Sequence, residues 1–280
     1  MIFFRTMTSN DIDAGLSLCR SAKWNQVSRD WEIFLRLSPD GCRVAIKDDR
    51  IIGTVTTVRY QNSFSWVGMV LVDPANQRQG IGMQLLHQAL EILRNEDTVK
   101  LDATPAGREV YLKLNFVDEY RISRMNAIPT VDQIPLSKAR PVNKSDLLQL
   151  IAFDQAIFGA SRPELLEWTW KGAPALAFIM EDNSEILGYC MGREGFDFTY
   201  IGPVVARETE IAKELLSAAL GNCIGKSVAI DAMHFSKEWI NWLNSIGFRE
   251  LRPLTRMYRG KNASPGLPEK QFSILGPEFG

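Results

Sequence analysis

Between Val70 and Gly82 the chain reads Val70-Leu71-Val72-Asp73-Pro74-Ala75-Asn76-Gln77-Arg78-Gln79-Gly80-Ile81-Gly82. An apolar run stops at Asp73-Pro74 and a polar loop with glycines follows. The stretch Gly80–Arg94 then carries Ile81, Leu85, Leu86, Ala89, Leu90 and Leu93 at helical spacing. A strand running through a tight loop into an amphipathic helix has the physics of an anion site. The first N–H groups of a helix lack intrahelical partners, and its dipole favours negative charge there. Gly80 and Gly82 remove the Cβ atoms that would hold a diphosphate away from those N–H groups, and Arg78 adds a cation. The segment is not a Walker A loop, because no Gly-Lys-Ser/Thr follows. It is not the dinucleotide fingerprint either, because no third glycine stands three residues beyond Gly82.

A second stretch downstream reads Thr104-Pro105-Ala106-Gly107-Arg108-Glu109-Val110-Tyr111-Leu112-Lys113-Leu114-Asn115-Phe116. Together the two resemble the signatures of the GNAT N-acetyltransferase superfamily. Tyr111 and Phe116 match its second signature; Thr104 stands where the family often has Asn, and Asn115 where it usually has Gly. Asn tolerates the left-handed C-cap conformation that Gly normally fills. The resemblance implies acetyl-CoA as co-substrate, held by Gln77, Arg78, Gln79, Gly80, Ile81, Gly82 and Met83, with its pantetheine arm along the backbone of Val70, Leu71 and Val72 and a contact at Thr104. It implies direct attack of an amine on the thioester, a backbone N–H near Val70–Val72 as oxyanion donor, and Tyr111 as the acid that assists the leaving thiolate. The acceptor is then a small-molecule amine or a protein amine. A non-catalytic acyl-CoA-binding sensor or scaffold is the alternative.

Other residues are candidates by type and place. Asp102 alternates with Leu101 and Ala103, so it either faces a cleft as a base or caps structure. His234 follows the equivalent strand of the second half; His87 lies off its helix's apolar stripe and reads as surface. An ordered water is a further candidate base. Trp24, Asn25, Trp31 and Trp66 are candidates for the acceptor pocket, with core packing as the alternative for the tryptophans. Arg193 is a candidate for an acceptor carboxylate, with a surface salt bridge as the alternative. Trp168/Trp170 and Trp239/Trp242 read as packing.

The elements that must position these residues alternate along the chain. Strands are expected at Ile2–Met7, Arg43–Lys47, Ile51–Tyr60, Ser65–Val72, Val99–Thr104 and Phe116–Ile128. Helices are expected from the Ser9-Asn10-Asp11 cap to Ala22, over Arg29–Leu37, over Gly80–Arg94 and over Ala106–Leu114. Pro129, Pro135 and Pro141 mark a linker. The rhythm then repeats: helices over Lys144–Phe158, Glu164–Trp170, Thr209–Asn222 and Lys237–Ile246; strands over Ala175–Glu181, Ile186–Arg193, Phe198–Ala206, Ser227–Met233 and from Gly247 to Arg259. The expected fold is therefore α/β (α+β), two GNAT-like mixed-sheet domains in tandem, the second degenerate: 1–128, a linker 129–141, 142–260 and a tail 261–280. Gly188-Tyr189, Gly192-Arg193 and Tyr200-Ile201-Gly202-Pro203 add to the tandem resemblance. In the second copy no glycine follows Ala206, Glu208 and Glu210 would repel a diphosphate, and Leu243 stands where Tyr111 stands in the first. The tail holds Phe272, Ile274, Leu275 and Phe279, too apolar for a solvated terminus. It is expected to pack onto the body, with Glu278 and the terminal carboxylate near the acceptor site.

Composition excludes several classes. The 280 residues carry 32 basic and 33 acidic side chains, net −1, so no nucleic-acid surface is indicated. Cys19, Cys42, Cys190 and Cys223 lie far apart, without a zinc or disulfide pattern. No apolar run is long enough to cross a membrane, and the expectation is a cytoplasmic protein without metal.

Overall fold

The computed structural model describes residues 1–60, 63–261 and 266–280. The first half runs β1 (Ile2–Thr6), α1 (Ile12–Ser21), α2 (Ser28–Leu37), β2 (Arg43–Lys47), β3 (Arg50–Tyr60), β4 (Phe64–Val72), α3 (Ile81–Ile92), β5 (Thr98–Ala103), α4 (Pro105–Leu112) and β6 (Val117–Ala127). Local chemistry sets the boundaries. Asp11 and Asp30 reach back to accept the N–H of Thr8 and Val27 at 2.8 and 2.6 Å, closing the entries to α1 and α2. Thr104 caps α4 through the Gly107 N–H at 3.2 Å, and Pro105 follows it. Asn115 takes φ +62° at the other end, the left-handed conformation anticipated there.

The second half runs β7 (Arg140–Pro141), α5 (Leu147–Phe158), α6 (Pro163–Gly172), β8 (Phe178–Asp182), β9 (Glu185–Glu194), β10 (Thr199–Ala206), α7 (Thr209–Gly221), β11 (Val228–Met233), α8 (Lys237–Ser245), β12 (Arg249–Gly260) and β13 (Gln271–Ser273). Two boundaries shift from expectation. A 3-10 turn, Lys144–Asp146, precedes α5, and Pro174 opens another through Leu176, so the strand expected from Ala175 begins only at Phe178.

Among the described residues the strands form one mixed sheet, in the order β1-β2-β3-β4-β5-β12-β6-β11-β13-β10-β9-β8-β7. The last strand of each half is exchanged. β12 pairs antiparallel with β5 and β6, and β6 pairs with β11. The two halves therefore share a continuous sheet. Apolar clusters cover the sheet in each half: Ile81, Leu85, Leu86 and Ala89 of α3 pack on the first, and Ala212, Leu215, Leu216 and Ala219 of α7 on the second.

Two wedges break the sheet, one in each half. β4 and β5 pair in parallel at Ser65–Val99 and Trp66–Lys100 and then splay. β10 and β11 pair at Thr199–Val228 and Tyr200–Ala229 and splay likewise. The second wedge is filled by the chain's own β13, which pairs with Val204 and Val205 on one side and Ala232 on the other. The segment beyond β13 then folds over the first half. Phe279 stacks on Phe34 at 4.6 Å, the Tyr60 hydroxyl and Trp66 Nε1 donate to the Phe279 and Pro277 carbonyls at 2.6 and 2.9 Å, and Arg162 holds the Gly280 oxygen at 3.0 Å. The apolar tail residues Phe272, Ile274, Leu275 and Phe279 are all buried, as their composition predicts; residues 262–265 of the expected tail lie outside the described residues.

Candidate active site

The loop between β4 and α3 is built for close approach from outside. Gly80 precedes α3 at φ +79°, and no side chain caps the helix. A Cβ on Gly80 would meet nothing within 4 Å, and one on Gly82 only Val72 Cγ2 at 3.6 Å. The protein's own packing therefore does not demand glycine at Gly82. The N–H groups of Ile81, Gly82 and Met83 belong to the first turn and face no acidic side chain. Gln77 folds back to donate to the Val72 carbonyl at 3.2 Å, and Arg78 is exposed at φ +62°. These features fit a diphosphate.

Beside this loop β4 carries an extra residue. Thr54 faces Leu71 and Thr56 faces Gly68, so Met69 and Val70 occupy the place of one, with Met69 at φ +49°. The bulge takes backbone groups out of the β3 ladder, and the splay from β5 leaves the other edge open. A cavity of about 50 Å³ adjoins the bulge, lined on this side by Val70, Thr104 and Tyr111, and by Asp102, Trp24 and Gln26. Burial pushes the Tyr111 phenol up to about 12, so it stays protonated as a donor across the physiological range.

The opposite wall comes from β6, β12 and the tail: Arg124, Arg252, Leu254, Pro277 and Glu278. A belt of ion pairs lies beneath it. Arg256 grips both oxygens of Asp102 at 2.8 Å, Arg124 those of Asp231 at 2.8 and 2.6 Å, and Arg193 bridges Asp30 and Glu278. Glu278 is seated by that bridge and by Gln26 Nε2 at 3.2 Å, both on Oε1; its Oε2 accepts no hydrogen bond among the described residues. Gly68 is what lets the tail come so near: a Cβ there would lie 2.8 Å from the Glu278 carbonyl oxygen.

The chain matches two models of one family: "Acetyltransferase (GNAT) family" over residues 10–116 and "Acetyltransferase (GNAT) domain" over residues 150–273. The chain belongs to the GNAT acetyltransferase superfamily. It holds two GNAT domains in tandem, and this supports acyl transfer as its chemistry. It is 28% identical over 259 residues to a holothin acyltransferase from Pseudoalteromonas sp. (strain SANK 73390), covering 92% of this chain and 87% of that one. Among solved structures, a putative acetyltransferase from Pyrococcus horikoshii superposes with a TM-score of 0.85 at 26% identity, covering 100% of this chain and 96% of that one. A tandem GNAT protein of the clavulanic acid biosynthesis pathway superposes at 0.68 with 15% identity, covering 95% and 99%, and shares the fold.

Within this GNAT frame the residues picked from sequence divide. Val70, Thr104, Tyr111 and Trp24 meet at the cavity. Leu71 and Ile81 turn their side chains into the core, leaving backbone alone for a ligand. Several acceptor candidates need correcting. Trp31 is fully buried against Gly15 and Phe34, because its helix turns that face inward. Trp66 is held under the tail with Arg256 over its ring at 4.6 Å. Asn25 is spent on the hairpin between β9 and β10, accepting from the N–H of Asp197 and Phe198 at 2.8 and 3.1 Å. Arg193 is saturated by Asp30 and Glu278 and cannot take up an acceptor carboxylate. His234 bonds Ser123 at 2.7 Å and does not line the cavity. Asp102 does line it, but Arg256 occupies both of its oxygens. Sequence reasoning missed Arg124, Arg252 and Gln26. The bulge that aims Arg252 has no sequence signature, and Arg124 is one more arginine in a strand.

Among the described residues no group of His, Cys, Asp and Glu clusters as a metal site, and no helix is long and apolar enough to cross a membrane.

Proposed function

We propose that this chain transfers the acetyl group of acetyl-CoA to the amine of a small molecule, forming an amide and releasing the CoA thiol. The observation that carries this reading is the open wedge between β4 and β5, which leads from the α3 loop into the cavity beside Tyr111 and Val70. Acetyl-CoA supplies the acyl group as an activated thioester when bound. The N–H groups at the start of α3, with Gln77, Arg78, Gln79, Gly80, Gly82 and Met83 around them, hold its diphosphate, and the free edge of Val70–Val72 holds the pantetheine arm. A backbone N–H at the β4 bulge faces the negative charge that develops on the carbonyl oxygen. Tyr111 donates a hydrogen bond to the developing thiolate. With the phenol pushed up to about 12 and a thiol near ~8.5, this stabilises the thiolate without full proton transfer.

An ammonium must lose a proton before it attacks. Glu278 lines the cavity and keeps one oxygen uncommitted, whereas both oxygens of Asp102 are taken. Glu278 is therefore the group that orients the amine and accepts its proton. On this reading residues 1–128 carry the chemistry, 129–141 link, and 142–260 supply a wall of the acceptor cavity. The tail, 261–280, completes that wall and closes the second copy's wedge. Closure of the cavity by the tail favours a small molecule over a protein lysine. Free CoA thiol should appear when acetyl-CoA is mixed with an amine panel, and Glu278→Gln should lower kcat/KM by roughly 10²-fold or more without changing acetyl-CoA affinity. Binding of acetyl-CoA without thiol release on any amine would support the sensor instead.

A further inference from the structure

The buried arginines of this protein follow one rule, and the half-buried Arg252 at the cavity departs from it. Arg124, Arg162, Arg193 and Arg256 each meet a carboxylate: Asp231, Asp154, Asp30 with Glu278, and Asp102. Arg252 has no hydrogen-bond or ion-pair partner among the described residues, and its Nε is buried without one. Burial, and then Arg124 beside it, pull its pKa below the ordinary guanidinium value. A half-buried guanidinium at a cavity wall, without a carboxylate of the chain on it, is free to make a charge-assisted pair with an anion from outside.

The backbone shows that this placement is specific. Glu250 faces Met125 across the β12–β6 pair, yet Arg252 faces Arg124, so Leu251 is an extra residue in β12. Without that bulge, residues two apart would share a face. With it, Glu250 turns to one face, where it meets Arg121 and Ser123. Arg252 is sent to the other, in line with Arg124 and Leu254, where all three line the acceptor cavity. The wall across from Tyr111 thus presents an unpaired cation from β12 and, from the tail, a carboxylate with one open oxygen.

We propose that the acceptor amine also carries a carboxylate, and that Arg252 is the specificity-determining residue that binds it while Glu278 receives the amine. This rests on the acetyl-transfer reading above. An acceptor with both groups supplies the missing partner to Arg252 and leaves the cavity charge-balanced; an uncharged amine would leave the guanidinium stranded in the complex as in the free protein.

The test uses matched pairs of acceptors: amino acids and ω-amino acids against the carboxamide, methyl ester and phosphonate of each. CoA-thiol release should favour the carboxylate over its carboxamide by roughly 30-fold or more in kcat/KM, the scale of a lost charge-assisted pair in a desolvated site. In Arg252→Gln that ratio should fall towards one, chiefly through KM, and Arg252→Lys should recover part of it. Thermal melting supplies the readout without turnover. The preferred acid should raise the wild-type Tm in the absence of acetyl-CoA and fail to raise that of Arg252→Gln, whose own Tm should equal or exceed wild type. A phosphonate preferred over the carboxylate, equal use of acid and carboxamide, or an Arg252→Gln protein that keeps the preference would overturn the inference while leaving acetyl transfer intact. No release with any amine would overturn both.

Discussion

Arg193→Met removes the cation that seats the tail and tests how the cavity wall is held. In the native protein Arg193 Nη1 donates to Asp30 at 2.5 Å and Nη2 to Glu278, and the two carboxylates are only 3% and 4% exposed. Burial already pushes Asp30 up, and Arg193 is the largest pull in the other direction. Methionine fills much of the same volume but strands both charges. Breaking a buried pair in this way costs about 3–5 kcal/mol, a third or more of the stability of an ordinary domain. The pH dependence has a definite sign. Without Arg193, Asp30 keeps the burial that raises its folded-state pKa and loses the strongest influence that lowers it. The stability of its protonated form is complete below the unfolded value near ~4 and is lost as pH rises through the raised folded value. The deficit against wild type should therefore be largest at neutral pH and shrink on acidification, by up to ~1.4 kcal/mol per pH unit as Asp30 takes a proton. Urea unfolding of both proteins between neutral pH and mild acid measures this. A deficit under ~1 kcal/mol at neutral pH, or one that does not change with pH, would refute the assignment of Arg193 as the keystone of the tail.

Three other outcomes follow from the same geometry. Tyr111→Phe keeps the ring against Phe116 and removes the hydroxyl, so kcat should fall by ~10²-fold with little change in acetyl-CoA affinity; single-turnover kinetics separate this from product release. Phe279→Ala deletes the ring stacked on Phe34 and should cost roughly 3–5 kcal/mol in urea unfolding, or less if the pocket collapses. Glu208→Lys with Glu210→Lys at the start of α7 should leave acetyl-CoA affinity unchanged by calorimetry, because β13 already fills the wedge beside it.

Most single elements were legible in the sequence because their causes are local. The helical stripe from Ile81 to Leu93 and the left-handed Asn115 each follow from a few neighbouring residues. The repeat of that rhythm was enough for the tandem arrangement. The exchange of β6 and β12 was not legible. Both strands alternate in the same way, so either pairing satisfies their pattern, and the choice is made by contacts more than a hundred residues apart in sequence. The same limit explains the site. The tail's apolar residues announced that it packs, but nothing in them foretold a strand in the second wedge. Arg193 and Arg252 look alike in sequence; one has partners 163 and 85 residues away, and the other is turned to the cavity by a single extra residue in its strand. Trp24 and Trp31 are likewise equal by type, and only the direction of their faces separates cavity from core.

The central claim is that the first copy holds the chain's one acetyl-CoA site, its diphosphate on the glycine loop of α3, while the second copy's wedge is closed by the tail. Titration calorimetry of acetyl-CoA into the intact protein and into Gly82→Asp tests it directly. Apart from its chain neighbours and its own helix backbone, the nearest atom to a Cβ on Gly82 is Val72 Cγ2 at 3.6 Å, so an aspartate has room in the fold and would set bulk and negative charge where the account puts the diphosphate. The account predicts one acetyl-CoA per chain in the wild type and no measurable binding in a folded Gly82→Asp protein. Two molecules per chain, or an affinity that Gly82→Asp leaves unchanged, would contradict it.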